Sequence, residues 1–386
     1  MRDAVICSAV RTPVGKRGGG LSGVHAVDLS AHVLTALAER SGIDPAVVED
    51  VFWGCVSQVG EQTFNIGRNA PLAAGWPESV PGTTIDRQCG SSQQAVAFAA
   101  ATVISGQADV VVAGGVESMS RVPMGAARGD GSAGTPLGPR YMDRYDGVYP
   151  NQGVGAEMIA ERWGFSRTQL DEFSLASHEK AAKAQADGAF DEEIAPVTTP
   201  DGTVVSADEG IRPGGTLEKL GSLKTPFKED GVISAGNASQ ISDGAAALLV
   251  TTSDKARELG LTPIVRIHTT VMAADDPVIM LTAPIPATQK VLARSGLSID
   301  DIGIYEVNEA FAPVPMAWLA DIGADAARLN PRGGAIALGH PLGGSGARIM
   351  TTLVHQMQAH GVRYGLQTMC EGGGMANATV LELLDA

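Results

Sequence analysis

The chain has no excess of basic residues, few cysteines, few aromatics and no long apolar run, and each shortage removes a class of protein. With 28 Lys and Arg against 43 Asp and Glu, it offers no clustered basic face for nucleic acid, although a local patch for an anionic ligand stays open. The cysteines, Cys7, Cys55, Cys89 and Cys370, are far apart and none forms a CxxC pair, so neither a zinc knot nor a disulfide framework is indicated. No segment approaches the roughly 18 uninterrupted apolar residues of a membrane span. Met1-Arg2-Asp3-Ala4-Val5-Ile6-Cys7-Ser8 reads as an immediate strand and not as a signal peptide. The expectation is a cytoplasmic protein with free thiols, no membrane insertion and no bound metal. Charged residues make up only 18% and form no long run, which excludes a disordered chain. At 386 residues, two or three structural units are expected.

What is present is glycine and alternating α/β texture. A strand over Ala4 to Ser8, a helix over about Ala26 to Ser41, a strand over Val47 to Val56, a helix over Asn65 to Gly75 and a strand over Gly82 to Ile85 lead to Asp86-Arg87-Gln88-Cys89-Gly90-Ser91-Ser92-Gln93-Gln94-Ala95. From Ser91 to Ser105 the chain is Ala-rich, lacks Pro and Gly, and stops at Gly106, as a buried helix does. This places Cys89 in the first turn of the helix, where unpaired N–H groups and the macrodipole favour a thiolate. The valine run that follows, Ala108 to Gly115, has the character of a strand buried on both faces, and strand, helix, strand in this order predicts a parallel arrangement. Gly18-Gly19-Gly20-Leu21-Ser22-Gly23 formally matches GxGxxG. It lacks the tight strand-to-helix turn and the following acidic residue of a dinucleotide site, so it reads as structural.

Residues Arg121 to Gln152 read as a long surface excursion, followed by helices over Val154 to Trp163 and Arg167 to Asp187, with Gly164 and Ser166 as caps. Strands resume at Gly244 to Thr251 and Val265 to Thr270. The turn at His340, a helix over Ser345 to His360 and a strand over Tyr364 to Met369 then repeat the order seen around Cys89. The reading is a duplicated α/β chain. Residues 1–116 with 235–263 form one half, 117–234 an inserted substrate-facing unit, and 264–386 the other half. Equivalent turns of two pseudo-symmetric halves would bring Cys89 and His340 to one shared site.

Taken singly, Cys89 reads equally as a small buried residue, Asn308 as a helix cap, His340 as a satisfied core histidine and Cys370 as strand-end packing. Together they are two thiols, an imidazole and an amide, all at element ends, where α/β folds carry chemistry. In Arg11-Thr12-Pro13, the Cys89 turn, Gly236-Asn237-Ala238-Ser239, Asn308-Glu309-Ala310-Phe311, Gly339-His340-Pro341 and Cys370-Glu371-Gly372-Gly373-Gly374, the chain resembles the thiolase family, the acetyl-CoA acyltransferases, over nearly its whole length.

The resemblance implies a duplicated five-layer αβαβα fold with an inserted loop domain, and thiolytic cleavage of a 3-oxoacyl-CoA. Cys89, deprotonated by His340, would carry the acyl group, while Cys370 would protonate the leaving acetyl-CoA carbon and then activate CoA. One oxyanion hole would use His340 Nε2 with a water held by Asn308, the other the backbone N–H groups of Cys89 and Gly372. Ser239, with Ala238 beside it, would meet the pantetheine arm of CoA; Arg212 would lie near the nucleotide; Phe227, Ala310 and Phe311 would wall the tunnel. CoA enters as substrate and no prosthetic group is implied. A homodimer through the α/β core, extended to a homotetramer near Arg121 to Gln152, is the implied assembly.

Short-chain biosynthetic thiolases carry a His-Met pair where this chain has Asn151-Gln152, and an aliphatic residue where it has Glu371. Gln93-Gln94, Gln240 and the Cys-Glu-Gly-Gly-Gly form are similar to degradative actinobacterial thiolases, including those that handle steroid side chains. Gln93 and Gln94 are read as shaping the acyl pocket. Acetoacetyl-CoA synthesis is the alternative activity, and a non-catalytic acyl-CoA or sterol carrier is the alternative of another class, weakened by retention of both thiols.

Overall fold

The computed structural model describes residues 2–384. Its first half runs β1 (Val5–Arg11), β2 (Gly15–Lys16), α1 (Ala26–Ser41), β3 (Asp50–Gly54), α2 (Ile66–Ala73), β4 (Thr83–Ile85), α3 (Ser91–Ser105) and β5 (Val110–Ser118). An excursion follows, with α4 (Pro139–Arg144), α5 (Gln152–Trp163), α6 (Arg167–Ala186), a ribbon of β6 (Val197–Thr198) and β7 (Val204–Val205), and α7 (Leu217–Gly221). The chain then returns through β8 (Ser242–Thr251) and α8 (Ser253–Glu258). The second half contains β9 (Val265–Ala274), α9 (Pro284–Ser295), β10 (Ile304–Val307), α10 (Pro313–Ile322), α11 (Ala335–Leu338), α12 (Ser345–His360), β11 (Tyr364–Glu371) and β12 (Met375–Leu383).

Local chemistry sets the ends that matter. Helix α3 stops where Gly106 turns left-handed at φ 77°. Asn151 caps α5 by accepting from the N–H groups of Gly153 and Val154, so that helix starts at Gln152 and not at Val154. Ser166 and Gln169 form a capping box on α6.

Strands follow the order β10-β11-β12-β9-β1-β8-β5-β3-β4. The expectation of a parallel arrangement holds only in part. β3 runs parallel to β4 and β5, and β10 to β11, but β8 is inserted antiparallel between β1 and β5, and β12 antiparallel between β11 and β9. Residues far along the chain bring β8 between β1 and β5 and set β12 beside β9, so no local pattern announces those pairings, whereas β11 and β12 form a hairpin across Gly372-Gly373-Gly374. The two halves meet at a seam where β1 pairs β9 through Val5–Arg266 and Ile6–Val265.

Three cores define the layers. α1 lays Leu29, Val33 and Leu37 on the outer face of the first half, against Val110, Val112 and Leu249. α9 and α10 cover the outer face of the second half, where Ile285, Val291 and Trp318 meet Val271, Leu366 and Val380. Between the two half-sheets lie α3 and α12, whose Ala95, Ala99, Val103, Met350, Leu353 and Val354 share one core with Val111, Leu248 and Ile304. The result is the five-layer αβαβα sandwich. A helix squeezed between two sheets needs small side chains, which explains the alanines of α3.

A buried ion cluster ties the excursion to this core. Arg11, at the end of β1 and wholly buried, donates to Glu193 at 2.6 Å and to both oxygens of Asp208 at 2.7 and 2.9 Å. Glu193 also accepts from Thr352 of α12 at 2.8 Å. No helix among the described residues is long and apolar enough to cross a membrane.

Candidate active site

The nucleophile turn differs from its expected form. Helix α3 begins at Ser91 with Gly90 as N-cap, so Cys89 precedes the helix and is not in its first turn. Gln88 adopts φ 49°, a left-handed conformation uncommon outside glycine, and is held there by Asp86 Oδ1, which accepts its N–H at 2.7 Å, and by Ser91 Oγ, which donates to its carbonyl at 2.6 Å. This kink turns Cys89 inward against Ile349, Met369 and Leu342, with 3% of its surface exposed.

The electrostatics also differ. Burial, reinforced by Glu371, pushes the Cys89 thiol up to about 12; a hydrogen bond from the Gln152 side chain offsets only part of this. The expected thiolate-favouring effect of the helix terminus is outweighed by desolvation. At neutral pH the resting group is therefore the thiol.

His340 comes to the same place because glycines let its turn dock into the first half. Gly339 takes φ 98°, and a Cβ there would lie 2.3 Å from Ser242 Oγ. Gly343 sits so close to Cys55 that a Cβ would fall 2.6 Å from its Cα, and its N–H donates to Glu117 at 2.9 Å. Glu117 also accepts from Val56, Ser57 and Gln62, fixing the turn to the first half-sheet. Across the central layer, the Ala347 N–H donates to Ser92 Oγ at 2.9 Å, locking the starts of α3 and α12 together.

The imidazole has a defined tautomer. His340 Nδ1 lies 2.6 Å from Ser345 Oγ, whose only proton is donated to the Pro341 carbonyl at 2.9 Å. On that pairing we assign the hydrogen to Nδ1, which donates to Ser345 and leaves the Nε2 lone pair bare. Nε2 is buried without a hydrogen-bond partner among the described residues. Burial and, secondarily, the Arg348 guanidinium push His340 down to about 3, so the ring is neutral. We expect Ser345→Ala to lower kcat on the order of 10- to 100-fold with little change in KM, as loss of a tautomer-fixing partner does, measured by steady-state kinetics.

Cys370 and Asn308 reach the site from the C-terminal edge of the second half-sheet. β10 and β11 pair in parallel up to Val307–Thr368, and the Asn308 N–H continues the ladder to the Thr368 carbonyl at 3.1 Å. Both side-chain amide atoms of Asn308 are buried and unpartnered. Cys370 is 1% exposed; burial first, and the Cys89 sulfur second, push its thiol well up, because two thiolates this close oppose one another. Gly373 and Gly374 make the following turn at φ 86° and 76°. Gly372 lies against Gln88, where a Cβ would fall 2.9 Å from Oε1, so the two cysteine turns touch.

The residues expected around CoA fall into two groups. Ala310 and Phe311 belong to the apolar cluster that contains Cys370. Ala238 bridges to Phe311, and the Ser239 N–H donates to the Ala310 carbonyl at 2.9 Å. Phe227 meets Phe311 edge-on at 6.1 Å and covers Gly153, where a Cβ would lie 2.2 Å from the ring. Arg212 stands apart and exposed, its side chain donating to Gln240 at 3.3 Å and its backbone N–H to His178.

Gln93 does not line an open pocket. Its amide donates to Thr379 at 3.1 Å and accepts from Gln367 at 3.0 Å, inside the central layer. Gln94 is also buried, with 1% exposed. Sequence reading assigned no role to Gln152, Ser345, Arg348 or Glu371. For Ser345 the signal was present, five residues past His340 and at the start of a helix.

Two buried thiols close enough to couple, with a neutral imidazole on a turn docked into the same half, are the groups an enzyme needs to transfer acyl groups through a cysteine thioester. Residues 4–254 match the thiolase N-terminal domain model and residues 261–383 the thiolase C-terminal domain model. The chain is 51% identical to a steroid 3-ketoacyl-CoA thiolase of Mycobacterium tuberculosis, over 100% of this chain and 95% of that protein. It is 45% identical to a beta-ketoadipyl-CoA thiolase of Escherichia coli, over 99% and 100%. A crystal structure of the Bacillus anthracis acetyl-CoA acetyltransferase superposes with a TM-score of 0.92 at 38% identity, covering 100% of this chain and 99% of that one. The chain belongs to the thiolase family.

Proposed function

We infer that the protein degrades 3-oxoacyl-CoA by thiolysis, yielding acetyl-CoA and a shortened acyl-CoA. What supports this reading is that Cys89 and Cys370 lie close enough to oppose each other's ionisation, while the turn that carries His340 leads into a helix locked to the start of the Cys89 helix through Ala347 and Ser92. In the first step the Cys89 proton passes to His340 Nε2 as sulfur attacks the 3-keto carbon. With the thiol raised and the imidazole lowered, transfer accompanies attack instead of preceding it. Breaking the bond between the α-carbon and the keto carbon leaves a carbanion, which takes the Cys370 proton. CoA then returns a proton to Cys370 and attacks the thioester; Cys89 leaves and recovers its proton from His340.

The bare Nε2 gives the two expected roles of His340 an order. It is a base first, and once protonated it is an oxyanion donor, with Asn308 able to hold a water beside it. The N–H groups of Cys89 and Gly372 serve the second oxyanion. Phe227, Ala310 and Phe311 wall the tunnel, Ala238 and Ser239 follow the pantetheine arm, and Arg212 lies toward the nucleotide. CoA is a substrate, and this chemistry needs no prosthetic group.

Gln152 beside the sulfur, together with relatives named for steroid and beta-ketoadipyl substrates, supports an acyl group larger than acetyl. The test is thiolysis across substrates from acetoacetyl-CoA to steroid-sized chains, read as acetyl-CoA release and by mass spectrometry of acylated Cys89. Failure to release acetyl-CoA from any of them would sink the reading, and a sharp preference for four carbons would favour synthesis. We expect Gln152→Met to lower kcat/KM about tenfold on the preferred substrate, the effect of one lost hydrogen bond to a charged sulfur.

Edge strand β4 leads into the nucleophile turn, and Phe64 and Phe98 stand 88% and 44% exposed in the same half. An unpaired edge with nearby apolar surface supports a homodimer through this half, checked by light scattering. Four free cysteines fit a reducing cytoplasm.

A further inference from the structure

Glu371 follows the second thiol directly and has no part in the proton relay. Its side chain is wholly buried, and neither carboxyl oxygen has a hydrogen-bond partner among the described residues. It lies on the backbone of the nucleophile turn: a Cβ placed on Gly90 would sit 1.9 Å from Glu371 Oε1 and 2.9 Å from Asn377 Nδ2. Glycine at position 90 is what lets a carboxyl group approach the turn so closely. A carboxylate close enough to couple to two thiols that each pass through an anionic form during turnover works against the chemistry, so its charge state matters.

The groups facing it come from three elements. The nucleophile turn presents Arg87 and Cys89, while Asp86 is turned away onto the Gln88 N–H. Strand β11 presents Cys370, and β12 the amide of Asn377, which donates to the Gly90 carbonyl at 3.1 Å. Arg87 is the opposing cation, yet its guanidinium reaches past the carboxyl to the Met375 thioether at 3.8 Å. Burial outweighs both Arg87 and a weak interaction with the Asn377 backbone N–H, too long to count as a hydrogen bond, and pushes Glu371 up to about 8, within the range where an enzyme works.

We propose that Glu371 is a charge brake on the two thiols: protonated, it leaves Cys89 and Cys370 free to pass through their thiolates, and ionised, it opposes both. The residue touches no substrate atom and acts through the thiols. In the resting enzyme the brake engages as pH rises and adds to burial in limiting the thiolate fraction that could react with stray electrophiles or oxidants. The proposal rests on Cys89 as nucleophile.

The test compares the full-length enzyme with Glu371→Gln, which keeps the shape and cannot ionise. The rate of Cys89 and Cys370 alkylation by iodoacetamide is followed from pH 7 to 9.5 by peptide mass spectrometry, alongside the ratio of kcat at pH 9 to kcat at pH 7. In the unsubstituted enzyme, alkylation of Cys89 should rise less than tenfold per pH unit above about 8, because each step in pH also raises the charge opposing the thiolate. In Glu371→Gln the rise should follow the full tenfold, leaving alkylation at pH 9 on the order of tenfold faster, the effect of one unit of thiol pKa. The kcat ratio should increase with it. Glu371→Asp, which still titrates, should restore the shallow rise. Superimposable alkylation profiles for the unsubstituted and Gln forms overturn the proposal. If Glu371→Gln fails to fold, the profile of the unsubstituted enzyme decides: a full tenfold rise per unit through pH 9 overturns it. Alkylation needs no substrate, so an inactive enzyme with the expected profiles would count against the thiolysis reading and not against the brake.

Discussion

Cys89→Ala is expected to lower kcat/KM for thiolysis by at least ~10⁴-fold, the scale seen when the nucleophile of a covalent mechanism is removed. The loss should fall on kcat. The residues proposed to bind substrate, Phe227, Phe311 and Ser239, make their contacts without the sulfur. Folding should survive, because the change removes one small atom from a contact with Ile349, Met369 and Leu342. The check has two parts: acetyl-CoA release under steady state, and a mass spectrum in which the acyl adduct seen on the parent enzyme is absent from the variant. Retained activity with an intact fold would remove Cys89 from the mechanism.

Arg11→Met should produce the largest loss of stability. The guanidinium is fully buried between Glu193 and Asp208, and Met fills much the same volume without the charge. Two carboxylates would be left inside the protein without the cation that hydrogen-bonds both, with only the more distant field of Arg348 and a longer contact from Arg332 to Glu193 at 3.7 Å to offset them. Breaking a buried pair from one side typically costs about 3 to 5 kcal/mol. A melting temperature lowered by several degrees would register it. Because Glu193 also holds Thr352 of α12, the variant should lose activity below its melting point, as the helix behind His340 loosens. A Met variant as stable as the parent would show that the cluster is neutral in free energy.

Much of this architecture was legible locally. The limits of α3 follow from its alanines and Gly106, and the capping box on α6 is spelled out by Ser166 and Gln169. The site residues were legible as glycine-flanked polar groups at element ends. What a linear reading missed depends on neighbours distant in the chain. Antiparallel β8 is recruited between β1 and β5, and β12 set beside β9, across large separations, so much of the mixed character of the sheet has no local sign; the β11–β12 hairpin, turned by Gly372 to Gly374, is the exception. The ionisation of Cys89 was misjudged because a helix terminus is visible in sequence, whereas the apolar lid of Ile349 and Met369, contributed by the other half, is not. Gln93 looked like a pocket residue for the same reason; its partners Gln367 and Thr379 lie on the last two strands.

Those last strands carry a consequence for synthesis. Asn377 donates to the carbonyl of Gly90 across a separation of 287 residues, and Glu371, Cys370 and His340 all lie in the final part of the chain. A chain made from its N-terminus at about 5 to 20 residues per second carries Cys89 for many seconds before any of them has been added. Through that interval Cys89 is an ordinary thiol with no base facing it and no fixed turn beneath it. A product cut short before β11 and β12 therefore carries Cys89 without the burial and the Glu371 carboxyl that hold it as a thiol in the finished fold, and is the form more open to stray electrophiles.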